Sequence, residues 1–192
     1  MPPTPPAAAI PTLGVVELSS VPKGILVCDA MLKKARVRLL RAEPLGSGKF
    51  LILVTGLEAD LEEALAAARA AGDPFIIGWT FIPRIHPQVV EALFRKGRLA
   101  GSLDAVGVVE LHSLAGLIQA ADAALKTAAV RLIELTFDLD LGGKGFFTLT
   151  GPLHEVSAAV EAAERQLGEG SYLQREIIPR PHASLSSVLG DD

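Results

Sequence analysis

Among 192 residues there is a single cysteine, Cys28. A lone thiol cannot close a disulfide within the chain, and nothing else in the sequence points to an oxidising compartment. A basic excess is also missing. The net charge of −4 and a pI of about 5.6 argue against the basic stripe with which proteins grip nucleic acid irrespective of its sequence. Unbroken aliphatic or aromatic runs are short, the longest being the five residues Phe50 to Val54, against the roughly 20 that a membrane-spanning helix needs. The first twelve residues, Met1 to Thr12, are rich in proline and alanine, with no Lys or Arg ahead of a hydrophobic segment. They lack the layout of a secretion signal and read as a disordered leader. These absences predict a cytoplasmic protein with neither membrane nor nucleic acid as partner.

What the chain has in quantity is apolar surface. Hydrophobic residues make up 49% of it and the mean hydropathy is +0.39. Without a membrane span, that surface must fill cores or subunit interfaces, because a monomer does not tolerate exposed patches of such size. Oligomerisation is the expectation.

The sequence also repeats itself. Gly14-Val15-Val16-Glu17-Leu18 returns as Gly107-Val108-Val109-Glu110-Leu111, and residues 14–41 aligned without a gap on 107–134 give 15 identities in 28 positions. Gly48-Lys49 through Thr55-Gly56 recurs as Gly143-Lys144 through Thr150-Gly151, the offset having grown from 93 to 95 because one loop is two residues longer. Ile82-Pro83-Arg84-Ile85-His86 returns as Ile178-Pro179-Arg180-Pro181-His182. A unit of roughly 90 residues is a small domain, far longer than a solenoid repeat. The expected organisation is a leader at 1–12, a first domain at 13–97 and a second at 104–189.

Each unit reads in the same order. An apolar strand (Leu13–Leu18, Ala105–Leu111) precedes a helix, capped by Ser20 with Pro22 in its first turn, running to about Lys34; its counterpart spans about Leu114 to Thr127. Val37–Arg41 and Phe50–Thr55 read as strands around the glycine-containing loop Glu43–Gly48. An acidic start with Asp60 placed to cap leads an alanine-rich helix to Gly72, and the second copy runs from about His154 to Leu167, ending at Gly168. A last strand (Phe75–Ile82, Ser171–Ile178) stops at Pro83 or Pro179 before a short helix. The order β-α-β-β-α-β-α is the split βαβ, ferredoxin-like α+β pattern with an added helix.

Chemistry motifs are sparse. The loops at Gly48-Lys49 and Gly143-Lys144 fail the phosphate-loop pattern, which needs glycine five residues earlier and Ser or Thr after the lysine, where Glu43 and Phe50, or Asp138 and Gly145, stand. Tight glycine turns explain them better. The histidines His86, His112, His154 and His182 show no metal-ligand spacing, and Cys28 falls mid-helix, where a small buried hydrophobe belongs. Asp29 and Asp122 precede Lys33 and Lys126 by four residues, the spacing of a helix-surface ion pair. No nucleophile or acid–base pair is visible, so no enzyme is expected.

With Gly-Val-Val-Glu, Asp-Ala-x-Leu-Lys-x-Ala-x-Val, Gly-Ser-Gly-Lys and Ile-Pro-Arg-Pro-His in this order, and each motif or its close counterpart in both halves, the sequence resembles the shell proteins of bacterial microcompartments. Its organisation is similar to that of the tandem-domain, trimer-forming class, such as the propanediol-utilisation tandem shell proteins, with the domains unpermuted. The resemblance implies a homotrimer whose six domains imitate a hexagon, tiling with hexameric and pentameric shell proteins of the same compartment. It implies tile-edge roles for Lys33, Lys126, Arg84 and Arg180; at Ile85 the first copy lacks the usual proline. It further implies a central pore lined by Gly46, Ser47 and Gly48 of the first loop and Asp140, Leu141, Gly142 and Gly143 of the second, open to small polar metabolites. Some relatives hold an iron–sulfur cluster on pore-loop cysteines. Neither loop here contains cysteine, so no cofactor is expected. A ferredoxin-like oligomeric sensor of small molecules is the alternative function.

Overall fold

The computed structural model describes residues 12–94, 103–137, 141–167 and 173–189. The first unit comprises β1 (Thr12–Leu18), α1 (Val21–Lys34), β2 (Arg38–Pro44), β3 (Phe50–Thr55), α2 (Glu58–Gly72), β4 (Ile76–Pro83) and α3 (Pro87–Phe94). The second comprises β5 (Ala105–Leu111), α4 (Leu114–Thr127), β6 (Arg131–Thr136), β7 (Gly145–Gly151), α5 (Leu153–Arg165), β8 (Leu173–Pro179) and α6 (Ala183–Leu189). The sheets have orders β2-β3-β1-β4 and β6-β7-β5-β8 with antiparallel neighbours throughout. This is the split βαβ arrangement, twice.

Thr12, expected in the leader, is instead the buried first residue of β1, where its hydroxyl donates to the carbonyl of Gly56. The remaining leader residues 1–11, the end of the first domain at 95–97, Asp138, Leu139, Asp140, Gly168 and Ser171 lie outside the described residues. At the helix starts, Ser20 Oγ accepts from the N–H of Lys23 and Ser113 Oγ from that of Gly116 at 3.1 Å. Asp60 does not cap α2. The chain turns helical at Glu58, after Leu57, which leaves Asp60 inside the first turn, where its charge faces the positive end of the helix dipole.

One core lies between β1, β3 and the helices of the first unit, with Val16, Leu18, Val27, Met31, Ile52 and Leu61 fully buried. The second core crosses the boundary between units. It joins the opposite face of the first sheet (Leu13, Val15, Leu51, Leu53) and the inner side of α3 (Val89, Val90, Leu93) to the interior of the second unit, including Leu117, Phe147 and Val160. The repeats therefore share apolar interior, a use for the hydrophobic surplus in addition to any subunit interface.

Helix α4 exposes the consequence. Helix α1 buries one stripe, Gly24, Val27, Cys28 and Met31, against its own sheet. Helix α4 buries the equivalent Leu117, Ala120, Ala121 and Ala124, and in addition Ile118, Asp122 and Leu125. That extra stripe faces β4 of the first unit, with Thr80 Oγ1 donating to Gln119 Oε1 at 2.9 Å. Likewise β6, the edge of the second sheet, is covered by α3, whose Gln88 Oε1 accepts the N–H of Leu132 at 2.8 Å.

Candidate functional site

Two glycine turns follow the edge strands β2 and β6. In the first, Gly46–Gly48 forms one turn of 3₁₀ helix between β2 and β3. Gly48 has φ +78°, and in the second loop Gly142 and Gly143 have φ +63° and +82°, a region in which side chains are strained and glycine is not. Leu141 opens the described part of that second turn, whose Lys144 N–H reaches back to its carbonyl.

Lys49 joins the two loops. Its Nζ donates to Glu17 Oε1, to the carbonyl of His112 and to the carbonyl of Gly143, each at 2.7 Å, using all three ammonium donors. Glu17 is fully buried. Its other oxygen accepts the N–H of Leu114 at 2.8 Å, that of Ala115 at 3.5 Å and the Ser113 hydroxyl at 3.3 Å. A carboxylate from the first unit thus sits on the N-terminus of α4, where the helix dipole favours negative charge. Room for it exists because residue 78 is glycine: a Cβ there would lie 2.8 Å from Ser113 Oγ and 3.0 Å from Glu17 Oε2. The sequence contained the signal in a charged residue at the same place in two apolar strands, with Gly-Lys repeated after each, but not the partner.

At the far end of the same junction, Lys126 Nζ pairs with Asp122 and also donates to the carbonyl of Pro83 at 3.0 Å, while Asp122 Oδ1 accepts the N–H of His86 at 2.7 Å. Asp122 is buried, so it is more than half of a surface ion pair; it anchors the turn that carries Arg84. Asp29 and Lys33 form the equivalent pair at 2.6 Å with both side chains exposed. Arg84 and Arg180 adopt left-handed backbone, φ 48° and 52°, uncommon for non-glycine residues. Arg84 takes this φ although Ile85 stands where the second repeat has Pro181. Burial pushes the His86 pKa down, against the pull of Asp122, favouring the neutral ring whose Nδ1 accepts the N–H of Gln88 at the start of α3.

The thiol of Cys28 lies within α1 among the first core, where burial, and secondarily Asp29, pushes its pKa up. This one thiol per chain packs among the core side chains of the first unit and lies in neither glycine turn, so it is not placed to converge with other thiolates on a shared iron–sulfur cluster, and the residues present do not fit that group.

The model of the BMC domain matches this chain twice, over residues 12–85 and 105–181. The chain belongs to the BMC domain family. It is a tandem-domain shell protein of the bacterial microcompartment kind, and its two sheets have the fold expected of that kind. It is 34% identical to the bacterial microcompartment shell protein PduT of Citrobacter freundii, covering 90% of this chain and 94% of that one. The carboxysome assembly protein CcmO of Synechococcus elongatus is 32% identical, over 92% of this chain and 68% of its own length. Among solved structures, a microcompartment protein from Desulfitobacterium hafniense is 36% identical with a TM-score of 0.73, covering 91% of this chain and 97% of that one. A structural shell role follows from this membership. Among the described residues, no helix is long and apolar enough to cross a membrane.

Proposed function

We propose that three copies of this chain close into a six-domain tile of the microcompartment shell, with the two glycine turns of each copy around a central pore for small polar metabolites. The observation that carries the reading is an asymmetry between equivalent residues. Ile118, Leu125 and Leu132, covered by the first unit, are 0%, 6% and 2% exposed, whereas their counterparts Ile25, Leu32 and Leu39 are 60%, 40% and 38% exposed. The first unit carries the covering surface, β4 and α3, and the second carries the equivalent β8 and α6. One end of the chain therefore presents the face that the other end is built to cover. Such head-to-tail complementarity generates rings when the rotation closes, and burying each aliphatic side chain contributes roughly 1.5–3 kcal/mol.

Light scattering of the purified protein is expected to give the mass of three 20.1 kDa chains; a stable monomer rejects the ring. Arg84 and Arg180, exposed on their left-handed turns, are then placed to meet neighbouring tiles, with Lys33 and Lys126 beside them at the domain junctions. Replacing both arginines by asparagine, which tolerates that backbone, is expected to leave trimers intact and abolish extended sheets in negative-stain images. Sheets of wild-type extent from the double variant would remove the arginines from the edge contact. In the pore, Gly46, Ser47, Gly48 and Leu141–Gly143 would bring glycine-rich backbone to the axis, and the acidic residue that the resemblance assigns there, Asp140, would contribute one negative charge per copy, so selectivity against anions is the expected property. The enclosing shell would include hexameric and pentameric partners, and the tile itself carries no catalysis.

A further inference from the structure

We infer that Glu110 and Lys144 form, with the N-terminal turn of α1 of a second copy of this chain, the same clasp that Glu17 and Lys49 form with α4 inside one chain. The inference rests on the ring proposed above and names the residues that close it. Glu110 and Lys144 occupy the positions of Glu17 and Lys49, in the same strand register, β5 and β7 pairing as β1 and β3 do. They already contact each other, Lys144 Nζ lying 2.8 Å from Glu110 Oε1. What differs is the cover: the Glu17 side chain is 0% exposed and that of Glu110 is 28% exposed.

The repeat offsets assign the partner-side contact for each position. Where Leu114 N–H and Ser113 Oγ meet Glu17, the N–H of Val21 of the partner subunit and the hydroxyl of Ser20 of the partner subunit meet Glu110. Where the carbonyls of His112 and Gly143 receive Lys49, those of Ser19 of the partner subunit and Gly48 of the partner subunit receive Lys144. Helix α1 has the properties this needs: it is 14 residues long, is capped by Ser20 and has no acidic residue in its first turn. Its exposed stripe, Ile25 and Leu32, continues from that turn along the same face, so an apolar contact and a charged clasp coincide. Two substitutions make the clasp between chains looser than the one within. Pro22 replaces Ala115 and has no N–H to donate, and Gln174 replaces Gly78, whose missing side chain makes room for the carboxylate. Around the axis, three clasps of each kind would alternate, tying each glycine turn to the next.

The test is exchange of chains between two full-length populations carrying different fluorophores, followed by energy transfer after light scattering has established the mass. Glu110→Gln keeps shape and removes the charge that faces the partner's helix; exchange is expected to accelerate at least about tenfold, as loss of a desolvated charge pair produces, with unchanged circular dichroism. The double reversal Glu110→Lys with Lys144→Glu restores a local ion pair but turns a cation toward the positive helix end, so it is expected to exchange at least as fast as Glu110→Gln. Wild-type exchange from either variant overturns the clasp while leaving the trimer standing; a monomeric wild-type protein overturns both.

Discussion

Glu17→Ala is expected to destabilise the chain by about 3–5 kcal/mol, the range for removing one partner of a buried, hydrogen-bonded ion pair. Three losses coincide at this position. The ammonium of Lys49, with its side chain 17% exposed, keeps two carbonyl acceptors and loses its counter-charge. The N–H of Leu114 and the Ser113 hydroxyl lose the oxygen that faces them at the start of α4. The two units also lose the charged tie that crosses their boundary beside the shared core. Urea unfolding of wild type and variant, at a protein concentration where both are in the same oligomeric state, measures the difference. At a dilution where the chains are monomeric, Glu110→Ala serves as the internal comparison: in the single chain its carboxylate is partly solvated, and exposed pairs contribute only about 0–1 kcal/mol. A loss at Glu17 of no more than about 1 kcal/mol, the range of an exposed pair, would show that the repeats are held by the apolar core alone.

The contrast also explains what could be read in the sequence. Duplication and element order were legible because they depend on local signals: Ser20 caps, Pro22 sits where the missing N–H costs the helix nothing, and glycine takes the left-handed positions 48, 142 and 143, whereas β2 runs on through Glu43 to Pro44, which read as loop. Asp60 misled because it is one of several acids near a helix start, and backbone geometry rather than side-chain type chose Leu57 as the cap. Asp122 and Asp29 carry identical local patterns, each four residues before a lysine, yet one is buried and holds the N–H of His86 while the other faces solvent. Sequence spacing reports the helix and is silent on what lies across from it. The partner of a repeated motif is a property of the second unit's position, which no window around Gly-Val-Val-Glu contains. The pore and edge assignments came through resemblance, and the geometry adds to them that Lys49 links the two glycine turns and that the turn carrying Arg84 is anchored from α4.

Exchanging the packing solution of one repeat for that of the other is expected to recover part of a large loss. Gly24 in α1 faces Phe50 at the start of β3, and a Cβ on Gly24 would lie only 2.3 Å from the Phe50 ring. The second repeat solves the same contact in reverse: Leu117 in α4 faces Gly145 in β7, where a Cβ would lie 2.6 Å from Leu117 Cδ2. The strand register places the two pairs equivalently, since Phe50 lies opposite Leu18 and Gly145 opposite Leu111. Gly24→Leu alone therefore forces a side chain into a filled site, a change that costs about 1–3 kcal/mol or more. Phe50→Gly alone empties the site, at about 3–5 kcal/mol for the lost ring plus about 0.5–1 kcal/mol for glycine in a strand. Carrying both, the first repeat has the large residue on the helix and the small one on the strand, and the double variant is expected to be more stable than the sum of the singles by about 2–3 kcal/mol, at the upper end of measured couplings between touching residues. Urea midpoints of the four proteins close the cycle. Strict additivity would mean that the side chain introduced on α1 does not enter the space vacated by Phe50, so that the two repeats differ in backbone spacing and not merely in which element supplies the bulk.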